Sequence, residues 1–112
     1  MKDDYAGAIP YLRNALRAEP RNEDARIRLA QSLAKTDQLK DAVLTLEAAP
    51  SDPDGRIDYV LAGYYRREGR KEDMQRALNY FESRQKAQKT KVVDQAAKDG
   101  AGKKPPGSGV PE

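Results

Sequence analysis

Ala8, Leu12 and Ala15 recur 34 residues later as Ala42, Leu46 and Ala49, and again 32 residues further on as Met74, Leu78 and Phe81. The spacing inside each copy is four then three, which returns to one side of a helix that turns every ~3.6 residues. A second pattern is interleaved: Leu29, Ala30 and Leu33 recur 32 residues later as Leu61, Ala62 and Tyr65. Two helix types therefore alternate. Neither type can bury its apolar face alone, so a chain with this period must stack its helices against one another.

Punctuation separates the stripes. Pro20 follows the first and Pro50 and Pro53 the second, while Thr36-Asp37 and Gly69 fall where the chain must reverse in the left-handed region. The spacing predicts helices at about 4–18, 23–35, 38–48, 55–68, and 70 to somewhere between 85 and 97. Asp3 or Asp4, Asn22, Asp37 and Asp54 are candidate N-caps. Pro10 removes a hydrogen bond if it lies inside a helix, so it either bends the first helix or delays its start. The expected core is Ala8, Leu12, Leu29, Leu33, Ala42, Leu46, Leu61, Tyr65, Leu78 and Phe81.

At 112 residues there is room for one small domain. Cys, His and Trp are absent, which excludes Cys/His metal sites, thiol nucleophiles, Ser-His-Asp machinery and disulfides. An enzyme remains possible only through carboxylates, Lys, Ser or Tyr, with a carboxylate or Lys enzyme as the third functional option, and no cofactor is expected. Asp52, Asp54 and Asp58 with Gly55 superficially resemble a calcium loop, but the twelfth place, where a bidentate Glu belongs, is Gly63. The segment is better read as a turn and a helix cap. Gly100-Ala101-Gly102-Lys103-Lys104 lacks the hydroxyl residue and the glycine offset of a phosphate loop. No apolar run is long enough to span a membrane and no targeting signal is legible, so the compartment stays open, with the cytoplasm weakly favoured.

Helix pairs with this period resemble the tetratricopeptide repeat family. Its first-helix signature, Trp-x2-Leu-Gly-x2-Tyr, is met by Arg26-x2-Leu29-Ala30-x2-Leu33 and by Asp58-x2-Leu61-Ala62-x2-Tyr65, with the Trp missing in both. Its second-helix signature, Ala-x3-Phe-x2-Ala followed by Pro, is met by Ala8, Leu12, Ala15 and Pro20, and by Ala42, Leu46 and Ala49. The resemblance covers residues 4–85 and implies an all-α, right-handed superhelix of about five helices; a generic bundle of helical hairpins is the alternative. It also implies that the first helix is the second member of a pair, so the chain reads as a C-terminal fragment of a longer protein, with Ile9, Leu12 and Leu16 partly uncovered. Residues 1–85 form the repeat domain in this reading, 86–99 a basic helical extension or frayed end, and 100–112 a disordered tail.

The family geometry implies a concave face lined by the first helix of each pair. Arg28, Gln31, Lys35, Tyr59, Arg66 and Arg67 are the candidate peptide-binding residues, with Tyr64 a further contact. Such a face is basic and suits an acidic or C-terminal peptide. The Lys and Asn clamp of chaperone-binding relatives is not matched, since Gln31 stands where the Asn belongs. The function expected is a non-catalytic scaffold for a protein or peptide partner. The alternative is nucleic acid or another anionic surface bound by Arg84–Lys104, which carries seven basic and two acidic residues but no interleaved aromatics. A homodimer through the exposed first helix is a further expectation.

Overall fold

The computed structural model describes residues 4–101, with side chains as far as Lys89. Five helices follow one another: α1 (Tyr5–Ala18), α2 (Glu23–Lys35), α3 (Leu39–Glu47), α4 (Arg56–Arg67) and α5 (Lys71–Ala101). No strand occurs among the described residues. The all-α expectation and the helix order are borne out. The helix runs on to Ala101, past the point where a tail is expected to begin, and residues 102–112 lie outside the described part.

Caps explain most of the boundaries. The Asp4 carboxylate accepts from Gly7 N–H and the Asn22 side chain from Ala25 N–H, each satisfying one open donor of a first turn. Two expected caps are otherwise. Asp37 occupies the reversal between α2 and α3 at φ +66°, and Gln38 precedes α3 without a side-chain cap. Asp52, not Asp54, closes the start of α4: its two carboxylate oxygens accept from Ile57 N–H and Asp58 N–H, both at 2.9 Å. That ring needs the sharp turn at Gly55, φ +77°. Pro10 lies inside α1, which starts at Tyr5, so the delayed start is excluded.

α2 packs between α1 and α3, α4 between α3 and α5, and α2 and α4 also touch. The core joins Leu29, Ala30 and Leu33 of α2 to Ala42, Val43 and Leu46 of α3 and to Ile57, Leu61, Ala62 and Tyr65 of α4. Ala8, Leu12, Leu78 and Phe81 depart from the expected core, since all four are only partly buried. Ile9, expected to be partly uncovered, is buried against α2, while Ala77 takes the inner place on α5. The physical reason is the width of the contact. The apolar face of a packed helix is wider than one stripe, so Ile9 and Val43 of the second-helix type, and Ala25 and Ile57 of the first, pack inward beside the stripes that define the repeat.

Arg26 stands where the repeat signature places Trp. It is buried, and its guanidinium donates to Pro20 O and Thr45 O, both at 2.9 Å. The side chain thus ties the α1–α2 turn to α3. Its counterpart Asp58 is half-buried beside Asp52.

Candidate binding face

The candidate residues sit on the two first-type helices. Gln31 and Lys35 of α2 correspond, 32 residues on, to Gly63 and Arg67 of α4. All four are exposed, and a Cβ at Gly63 would meet nothing within 4 Å, so this side of α4 is open. Tyr59, Gly63 and Arg66 follow at steps of four and three along one edge. Tyr59 is 57% exposed and packs against Phe81 with ring centroids 4.8 Å apart and the rings tilted at 43°, which braces its ring without covering it. Arg67 lies over the Tyr64 ring, 5.9 Å from the centroid, and burial pushes the half-buried Tyr64 hydroxyl above its ordinary pKa.

Charge pairing separates two sets of arginines. Arg56 bridges Glu23 and Asp24 across the starts of α2 and α4, and Arg70 meets Glu47, Glu68 and Asp73. Among the described residues, Arg28, Lys35, Arg66 and Arg67 enter no ion pair. Their charge is available to a ligand.

Arg28 and Gln31 have a second neighbourhood. They border a depression of about 440 Å³ between α1 and α2, with Tyr5, Tyr11 and Leu12 on its other wall. Lys35, Tyr59, Arg66 and Arg67 lie outside its lining. Tyr11, one residue before the stripe residue Leu12, is 78% exposed there. That place, on a helix with a neighbour on one side only, is the sequence signal that marks it.

The acidic residues are committed elsewhere. Glu23, Asp52 and Asp54 converge, but Asp52 caps α4 and Glu23 pairs with Arg56. Burial, then the charge of Asp54, raises the Glu23 pKa. Burial, then the charge of Asp52, raises that of Asp58. Arg84, counted with the basic segment, donates through Nε to Pro53 O at 2.7 Å and so holds the α3–α4 loop against α5. Among the described residues no helix is long and apolar enough to cross a membrane. The Gly-Lys-Lys stretch 102–104 lies outside the described residues.

The family model for the tetratricopeptide repeat matches residues 1–62, more than half of the chain. The chain belongs to the tetratricopeptide repeat family. No curated protein and no solved structure matches it. Tetratricopeptide repeats generally mediate protein–protein interaction and are typically non-catalytic scaffolds. The α1–α2 turn with Pro20, the Leu29-Ala30-Leu33 seam and the Ala42-Leu46-Ala49 stripe all fall inside the matched region, while the second half of α4 and the whole of α5 lie beyond it.

Proposed function

We propose that this tetratricopeptide repeat chain is a non-catalytic binding module that takes an acidic peptide segment on the α2–α4 face. The observation that carries the reading is that, among the described residues, Lys35 of α2 and Arg66 and Arg67 of α4 enter no ion pair, while α4 also carries a braced, exposed Tyr59 and open space at Gly63. Arginine grips a carboxylate through two parallel donors, and an exposed but braced aromatic loses little freedom on contact. Anionic-surface binding by Arg84–Lys104 is the weaker reading, because Arg84 already serves the Pro53 carbonyl.

The test is a fluorescence-anisotropy titration with a labelled Asp/Glu-rich peptide ending in a free carboxylate. Binding is expected to persist when residues 86–112 are deleted and to fall by about tenfold or more in Arg66→Glu with Arg67→Glu. Loss on the deletion, with no effect of the double reversal, transfers the function to the basic segment. A nucleic-acid mode would also show a much steeper salt dependence.

A further inference from the structure

The glycines of the fold serve different ends. At Gly7 a Cβ would run into the Asp4 carboxylate that caps α1, and Gly55 and Gly69 hold left-handed backbone at φ +77° and +74°. Gly63 has neither reason. It lies inside α4 without a positive φ, and a Cβ there would meet no side chain and no neighbouring element within 4 Å. Glycine is a poorer helix residue than any but proline, so α4 is less stable for carrying it where a larger residue would fit. Gln31 stands at the corresponding place on α2, 32 residues earlier. What Gly63 does is bare the helix surface. A helical side chain leans toward the N-terminus, so the one missing here would have covered the turn that carries Tyr59, and the side chains that follow at Arg66 and Arg67 lean back toward the gap.

We propose that the bare stretch of α4 at Gly63 is a slot for one aromatic side chain of the bound acidic peptide, its ring lying on the helix backbone between Tyr59 and the guanidinium groups of Arg66 and Arg67. The inference rests on the reading of the α2–α4 face as the peptide site, and names the side chain that this face selects. Floor and walls together choose the occupant. The floor is backbone without a side chain, which a flat ring approaches closely. One wall is the Tyr59 ring, already braced by Phe81, so that a second ring pairs with it at little loss of freedom. The other wall is guanidinium, which stacks on an aromatic face and keeps donors for a carboxylate beside it. An aliphatic side chain would use the floor alone. A carboxylate in the slot itself would face the negative π-cloud of Tyr59. Carboxylates on either side of the ring are matched instead by Lys35, Arg66 and Arg67, which enter no ion pair among the described residues.

The probes are two labelled Asp/Glu-rich peptides that differ at one central position, Phe or Ala, titrated by fluorescence anisotropy against the full chain. The Phe peptide should bind about tenfold or more tightly. Gly63→Gln copies the residue of α2 into the slot. It should bring the Phe peptide down to the affinity of the Ala peptide, leave the Ala peptide within about twofold of its value for the parent chain, and raise the melting temperature of the free protein. Tyr59→Leu should also shrink the Phe preference, with circular dichroism unchanged because the residue is exposed. A Phe preference that survives Gly63→Gln overturns the slot. So does a lower melting temperature in that variant, since the glycine would then serve the fold. Equal binding of the two peptides to the parent chain, weakened for both by Arg66→Glu with Arg67→Glu, overturns the slot and leaves the acidic-peptide face standing. No saturable binding of either peptide overturns that face, and the slot with it.

Discussion

The Tyr65 hydroxyl donates to Glu47 Oε2 at 2.6 Å, joining the last turn of α4 to the end of α3. Arg70 completes the cluster from the α4–α5 turn, 3.5 Å from the same oxygen and 4.6 Å above the Tyr65 ring. Tyr65→Phe keeps the ring and its cation contact and leaves Glu47 beside Arg70. The expected loss is the hydrogen bond alone, about 1 kcal/mol in urea unfolding. Tyr65→Ala also opens a cavity and should cost about 3 kcal/mol or more. Equal losses would mean that the hydroxyl, not the ring, holds α4 to α3.

Burial first, then the bond to Glu47, pushes the Tyr65 pKa well above the ordinary tyrosine range. Tyr65 should therefore be the last of the six tyrosines to ionise, and Tyr65→Phe should remove the latest step of the alkaline absorbance titration. The sign for stability follows. A group whose folded pKa is raised contributes stability that is complete below its unfolded value and is lost as the pH rises through the folded one.

Arg26 makes a different kind of junction, because its charge is met by carbonyls rather than by a carboxylate. Burial lowers its pKa without removing the charge. Arg26→Ala should cost about 2–3 kcal/mol, from two charge-assisted hydrogen bonds and the lost packing of the side-chain stem. Arg26→Lys should recover less than half of this, since one ammonium cannot reach both Pro20 O and Thr45 O in a planar fork. Full recovery by Lys would show that charge alone matters.

The repeat offsets made the five helices legible, because Ala8, Leu12 and Ala15 and their copies mark where one helix type begins and ends. They also contained more than the first stripe. Ile9 and Val43 share the 34-residue offset, and Ala25 and Ile57 the 32-residue offset; both pairs are buried. A single stripe underestimates a core whose inner helices, α2, α3 and α4, each touch two or more others. The roles of Arg26 and Arg84 were not legible, because both donate to backbone carbonyls that carry no side-chain signature. For the same reason the candidate face could be drawn from exposed cations in sequence, but the division between paired Arg56 and Arg70 and unpaired Lys35, Arg66 and Arg67 depends on which carboxylates the fold brings near.

Glu23 and Asp58 both have raised pKa values, burial being the larger cause in each. The native state thus binds protons more tightly than the unfolded chain between the ordinary carboxylate values and the raised ones. Stability from these two groups increases as the pH falls from neutral through that window, and is lost as the pH rises through the folded values. Asp58→Asn should stabilise the protein at pH 7 and flatten the dependence of melting temperature on pH between 7 and about 4. A variant with the same slope as the parent would show that Asp58 does not titrate in this window.

Gly55 and Gly69 both have left-handed backbones, at φ +77° and +74°, but only one is crowded. A Cβ at Gly69 would meet nothing within 4 Å, whereas at Gly55 it would come within 2.9 Å of Phe81 Cα, an atom of the α5 backbone that cannot turn aside. Gly69→Ala should therefore cost only the backbone preference, about 1 kcal/mol. Gly55→Ala adds a clash that must push the α3–α4 loop off α5. The contacts at risk are those of Tyr80 with Asp52 O and Arg84 with Pro53 O, so the total should reach about 3 kcal/mol. If displacement of the loop is the cause, Arg84→Ala should cost markedly less in the Gly55→Ala background than alone, a non-additivity that urea unfolding of the four proteins would measure. Strict additivity, with equal losses for the two glycine variants, would mean that the loop absorbs the methyl without leaving α5.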